Sequence, residues 1–170
     1  MSTILNTEGT ELQIPEIKDK KNFKVAIVTA NWNKDVNDRL LAGALDVFAK
    51  AGMGDDRVAQ FRVPGAVELV YAAARLIDTG DFSAIVVIGT VIRGDTPHFD
   101  YVCSQAADGI CRLNCQGKIP VIFGVLTVNE LQQALDRAGG CLGNKGAEAA
   151  VAAIEMGNFR HESFVRFLNF

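Results

Sequence analysis

The stretch AIVVIGTVIRGDTPHFDYVC, residues 84–103, fixes the reading of the chain. Ala84–Gly89 is an apolar, β-branched run of strand length. A polar turn follows, and His98–Cys115 then carries helical spacing. A strand, a tight turn and a helix start converge on His98, one of only two histidines. Thr96 followed by Pro97 suits an N-cap and a first helical position, because proline lacks the amide that would go unpaired there. His98 then falls in the first turn, where the positive end of the helix disfavours an imidazolium. A neutral ring can accept a proton. Free amides around Gly94, Asp95 and Thr96 suit a phosphate. On spacing alone, a histidine that merely caps or packs is an equal reading.

Working outward, the same alternation repeats. Lys24–Thr29, Val58–Val63 and Ile119–Gly124 read as strands. Helical spacing covers Asn37 to Gly52 (Leu40, Leu41, Ala44, Leu45, Phe48), with Gly52 as its stop, and also Ala66–Thr79, Asn129–Ala138 and Gly146–Phe159. Residues 1–22 read as an extended arm with a short strand at Leu12–Ile14, and residues 23–170 as one domain. Apolar strands separated by helices predict a single-domain α/β fold: three layers, αβα, around a central, mainly parallel four-stranded sheet. Such a sheet gathers its ligand site at the carboxyl ends of its strands. The segments expected there hold the only tryptophan, Trp32, the turn Pro64-Gly65 ahead of Glu68, and the stretch from Thr90 to His98.

Composition narrows the classes of function. At 170 residues and 49% apolar, the chain can build one core, and a net charge of −3 offers no basic field for nucleic acid. No run approaches the roughly 20 apolar residues that span a bilayer, and no signal pattern opens the chain, so the expected location is cytoplasmic. Four cysteines, at 103, 111, 115 and 141, form no CxxC and are expected to be reduced and packed as small apolar residues; metal is not expected.

Other residues carry alternatives. Arg93 is a ligand clamp or a subunit-interface ion-pair partner, with the interface favoured. Arg137 closes a helix before a double glycine, where it could grip an anion or satisfy terminal carbonyls. Lys145 opens the last helix, a poor place for a cation, which implies a nearby anion or an exposed loop lysine. Trp32 stacks on a flat ring or joins the core, and its flanks, Asn31 and Asn33, favour a loop. Phe123 reads as core, and Glu68 as a residue that suits the helix dipole.

Together, GTVIRGDTPHFDYVC, VPGAVE, PVIFGVLT and the pair RAG and GNKG resemble the lumazine synthase family from about Lys24 to Met156. The resemblance implies a flavodoxin-like fold. It also implies the condensation of 5-amino-6-(D-ribitylamino)uracil with 3,4-dihydroxy-2-butanone 4-phosphate in riboflavin biosynthesis, without cofactor or metal. His98 matches the proton-transfer histidine. Trp32 matches the aromatic that stacks on the pyrimidine, and Ala66, Val67 and Glu68 match ring and ribityl contacts. Thr90, Val91 and Ile92 match pocket walls. Asp95 and Thr96 match the phosphate amides, Arg137 the paired arginine and Lys145 the lysine near the phosphate. Phe123 matches a wall given by a neighbouring subunit.

The resemblance further implies a homopentamer with its site between neighbours, which some members assemble into a decamer or an icosahedral shell. The arm would then be free to add a strand to a neighbour. Four positions depart from the common pattern. Trp32 stands where Phe is frequent, Val67 replaces a frequent Phe, and Cys141 sits where a lysine often lies. Asp95, beside a phosphate, is expected to offer only its amide. Trp32 also suits a non-catalytic riboflavin or lumazine carrier on the same scaffold, although His98 and Arg137 serve no purpose in one.

Overall fold

The computed structural model describes residues 12–168, with side chains to residue 163. Four parallel strands form the sheet: β1 (Val25–Ala30), β2 (Val58–Val63), β3 (Ala84–Ile92) and β4 (Val121–Val128), in the order β2-β1-β3-β4. Along β1 and β3 the side chains alternate between two apolar faces. Val25, Ile27, Val86 and Ile88 join the core beneath α1 (Lys34–Lys50) and α5 (Lys145–Leu168). Ala26, Val28, Ile85 and Val87 join the core beneath α2 (Glu68–Thr79) and α3 (His98–Cys115). Because both faces are covered, the strands read as unbroken apolar runs, and the three-layer αβα expectation holds.

Two strands are longer than expected. In the sequence a glycine marks the expected end of both β3 and β4, yet the ladder continues from Gly89↔Val125 to Ile92↔Val128. The glycines are there for proximity: a Cβ on Gly124 would stand 2.8 Å from the Val87 carbonyl oxygen. Thr90, Val91 and Ile92 are therefore strand residues, and the turn begins at Arg93. Helix α1 starts earlier than Asn37, because the Asn33 carbonyl accepts the amides of Val36 and Asn37 at 3.1 Å each. Helix α3 spans the expected residues. Its cap position falls on Pro97 rather than Thr96, with no side-chain capping bond, and Pro97 already has helical angles (φ −60, ψ −7).

The strand expected at Leu12–Ile14 is absent from the described arm. Its backbone bonds go to a helix instead: Asn158 of α5 accepts from the Lys18 amide at 3.0 Å and donates to the Glu16 carbonyl at 2.9 Å. Ile17, 3% exposed, enters the core. The cysteine expectation also needs correction. All four are free, but Cys111, Cys115 and Cys141 are exposed. The first two lie on the α3 face opposite buried Ala106, Ile110 and Leu113, so neither is a core residue.

After the short α4 (Leu131–Asp136), a hairpin unforeseen from sequence, β5 (Ala138–Gly140) with β6 (Gly143–Asn144), turns on Gly139 and Gly143, both at positive φ. Asn144 then caps α5: its side-chain oxygen accepts the amides of Gly146 and Ala147 at 2.9 and 3.1 Å. Its amide group donates to the Arg39 carbonyl of α1.

Two outcomes follow from this packing. A Cβ at Gly146 would stand 1.9 Å from the Leu40 carbonyl oxygen, so Gly146→Ala must part α1 from α5. The expected cost is about 1–3 kcal/mol, read from the urea midpoint, and an unchanged midpoint contradicts the contact. Asp38 on α1 binds Lys34 and, on the edge strand β2, Arg62. Hydrogen bonds from Lys34 and then Arg62 hold its carboxyl below the ordinary value. A lowered folded value stabilises above the unfolded pKa, and that contribution fades as pH falls through the folded one. Asp38→Asn should cost up to about 1 kcal/mol at pH 7, given solvent screening, and visibly less at pH 3. An equal or larger gap in acid contradicts the pairing.

Candidate active site

Strands β1, β2 and β3 end on one rim, and their next residues build a groove of about 300 Å³. Trp32 follows β1, Ala66, Val67 and Glu68 follow β2, and one face of α3 supplies His98, Tyr101, Val102 and Gln105. Two larger depressions, of about 350 and 400 Å³, lie at the amino ends of the strands, around Phe23–Ser83 and Ile119–Ile122. The carboxyl rim is where a parallel sheet concentrates ligand-binding groups, so the smaller groove is the candidate.

Trp32 is 67% exposed and not part of the core. Its backbone is nonetheless fixed: its amide donates to the Pro64 carbonyl at 3.0 Å, and its carbonyl accepts from the Asn37 side chain at 2.7 Å. Gly65 lies against the indole, since a Cβ there would stand 2.6 Å from Trp32 Cε3 and 3.1 Å from Glu68 Oε2. Only glycine leaves room for that pair, which gives VPGAVE a physical reason. Glu68 Oε2 is buried and has no hydrogen-bond partner among the described residues. A carboxylate oxygen in that state is costly unless a donor meets it, so the groove asks for a ligand with an N–H or O–H.

His98 is exposed at the start of α3, and among the described residues its ring makes no hydrogen bond. Nor, among the described residues, do the amides of Gly94, Asp95 and Thr96 find an acceptor. These are unoccupied donors at a helix N-terminus, the arrangement that receives an anion. Asp95 and Thr96 are both exposed. The one sulfur near this turn is a poor nucleophile, because burial and the charge of Asp100 push the Cys103 thiol up.

Other candidates have different surroundings. Thr90 is 4% exposed, and its hydroxyl donates to Asn37 Oδ1 at 2.7 Å while its carbonyl accepts from Asn33. Val91 packs against the α2–α3 layer, as does Phe123, which pairs with Val87. Ile92 ends β3, partly buried. Arg137 is not at the groove. Its side chain is 12% exposed, and one terminal nitrogen straddles the Glu148 carboxylate at 2.8 and 3.0 Å while the other donates to the Leu142 carbonyl. Lys145 donates to the same carboxylate at 3.2 Å, so the nearby anion implied by its position is Glu148, and the exposed-loop alternative is excluded. Hairpin β5–β6 brings the two cations together, with the Lys145 amide donating to the Arg137 carbonyl at 2.8 Å. Within its own chain Arg93 meets Asp100, Asn129 and Phe99, and its side chain stays 44% exposed.

Sequence reasoning missed Tyr101, Val102 and Gln105, although positions 98, 101, 102 and 105 share one helical face. It also missed Asn37, 0% exposed, whose side chain carries the Trp32 loop, and Glu148, the carboxylate between the two cations. No helix among the described residues is long and apolar enough to cross a membrane.

The sequence model of the 6,7-dimethyl-8-ribityllumazine synthase family matches residues 22–161. A 6,7-dimethyl-8-ribityllumazine synthase of Parabacteroides distasonis is 47% identical over 150 residues, covering 88% of this chain and 94% of the relative. One from Phocaeicola vulgatus is 45% identical over 146 residues, 86% of this chain and 87% of its own. Another, from Bacteroides fragilis, is 46% identical over 137 residues, 81% and 96% respectively. Agreement on that scale, spanning the sheet, the groove and the Arg137–Lys145 hairpin, means that the chain belongs to the 6,7-dimethyl-8-ribityllumazine synthase family.

Proposed function

We propose that this chain is a transferase of riboflavin biosynthesis that condenses 5-amino-6-(D-ribitylamino)uracil with 3,4-dihydroxy-2-butanone 4-phosphate, giving 6,7-dimethyl-8-ribityllumazine, phosphate and water. The observation that carries the reading is that exposed His98, the Trp32 indole and the unpartnered Glu68 oxygen share one groove. A flat pyrimidine stacks on Trp32. Glu68 accepts a hydrogen bond from the ribityl chain or ring, with Ala66 and Val67 as the adjoining wall. The backbone of Thr90, Val91 and Ile92 closes the strand side.

The chemistry needs proton movement more than a cofactor. One amine attacks the ketone and water leaves as the imine forms. Phosphate is then eliminated, and the second amine closes the ring with loss of another water. His98 takes and returns protons in these steps. The amides of Asp95 and Thr96 hold the phosphate, and holding both reactants in one orientation supplies much of the rate.

Arg137 and Lys145 do not line the groove that holds His98, and together they place two cations on one carboxylate. We read this excess positive charge as the second half of a phosphate site belonging to an adjoining copy, with Phe123 as that copy's wall. A homopentameric ring brings the halves together, and a decamer or shell would stack or close such rings.

The test is an assay of the purified chain with both substrates, following lumazine by absorbance and fluorescence. Wild type should exceed the uncatalysed rate clearly, while His98→Ala should lower kcat by about 10²-fold or more. Arg137→Ala should mainly raise KM for the butanone phosphate. Tight riboflavin binding without any rate enhancement would contradict the enzymatic reading.

A further inference from the structure

We propose that Arg93 is a positioning residue for this reaction, holding the turn that carries Asp95, Thr96 and His98 by gripping the two residues that follow the histidine. The proposal rests on His98 being the proton carrier. Three contacts converge on the guanidinium. It lies 4.1 Å from the centroid of the Phe99 ring. One terminal nitrogen donates to Asp100 Oδ1 at 3.1 Å, and Nε donates to Asn129 Oδ1 at 3.1 Å. The Arg93 backbone amide closes the β3–β4 ladder on the Val128 carbonyl at 2.9 Å. A single residue thus joins the end of β3, the segment after β4 and the first turn of α3.

The turn between these anchors has little holding it otherwise. Residues from Gly94 to His98 are all exposed, and among the described residues none of their side chains makes a hydrogen bond. A Cβ on Gly94 would meet nothing within 4 Å. The placement of His98 and of the amides beside it therefore depends on the two ends of the turn, and Arg93 controls both. The planar fork of arginine serves Asp100 and Asn129 while its face covers Phe99; the point charge of a lysine reaches fewer of these partners at once. The Arg93 side chain is 44% exposed, so its ion pair adds little to folding. Its effect belongs to geometry, where a displacement of about 1 Å can cost on the order of 10²-fold in rate.

The experiment is steady-state kinetics of the full-length chain with both substrates. Arg93→Ala, Arg93→Lys, Asp100→Asn, the Ala/Asn double variant and His98→Ala are compared, with melting temperature and light scattering on each. Arg93→Ala and Asp100→Asn should each lower kcat about tenfold, leaving KM for the aminouracil, melting temperature and assembly unchanged. The double variant should be no worse than Arg93→Ala alone, because both remove one interaction. Lysine should recover part of the loss. Full kcat in Arg93→Ala, with His98→Ala impaired, overturns this proposal alone. His98→Ala at full rate overturns the proton-carrier reading as well. A fall in KM for the butanone phosphate in Asp100→Asn would mark Arg93 as a direct phosphate clamp and overturn the positioning role. Loss of assembly in Arg93→Ala would mark it as an interface residue, with the same consequence.

Discussion

A single buried side chain, Asn37, holds the carboxyl rim in shape. Its amide group donates to the last carbonyl of β1, on Ala30, at 2.9 Å and to the Trp32 carbonyl at 2.7 Å, while its oxygen accepts the Thr90 hydroxyl of β3 at 2.7 Å. Both donor hydrogens and the acceptor are used in a place with no exposure, where a polar group left unpaired costs about 1–3 kcal/mol. Asn33, at φ 58, adds a bond to the Thr90 carbonyl at 2.8 Å. The sheet order reverses between β1 and β3, and the polar knot lies at that point. It lets the Trp32 backbone be rigid while its indole stands in solvent. The groove inherits its geometry from this network rather than from contacts among its own walls.

The electrostatics follow a similar division of labour. Glu68 keeps a buried oxygen without a partner at one place, and Glu148 is shared by two cations at another. Each is a local imbalance that a folded chain would otherwise remove. The first suits a hydrogen-bond donor and the second an anion, and a substrate pair made of a polyhydroxy aminouracil and a phosphate offers both. The β5–β6 hairpin sets the second imbalance by fixing the distance between Arg137 and Lys145, and Asn144, its last residue, locks that hairpin to α1.

Much of this was legible in the sequence because the signals were local. The strand run Ala84–Ile88, the Thr-Pro pair and the apolar spacing to Cys115 gave the bounds of α3, and the strand-end rule brought Trp32, Glu68 and His98 to one rim. What stayed hidden was non-local. Gly89 and Gly124 look like strand ends, but their reason lies in a neighbouring strand or helix. Asn37 looks like a polar helix residue until the β3 strand arrives beside it. The bond from the Thr90 hydroxyl to Asn37 is likewise invisible in the local pattern. Arg93 is 7 residues from Asp100 and 36 from Asn129, partners that no periodicity joins. The exposed cysteines of α3 escaped for a related reason: their burial depends on which helix face meets the sheet, and small residues mark that face weakly.

The central claim is that one chain carries two incomplete half-sites, the His98 groove and the Arg137–Lys145 pair, which function only across copies. The most direct measurement mixes His98→Ala, impaired in kcat, with Arg137→Ala, impaired in KM, after dissociating and reassembling them together in equal amounts. The assay uses a butanone phosphate concentration low enough that neither variant alone turns over appreciably. Random assembly places an intact histidine half against an intact arginine half at about one interface in four, so about a quarter of wild-type activity should return. A mixture as inactive as its components, in samples shown to have exchanged subunits, would contradict the account.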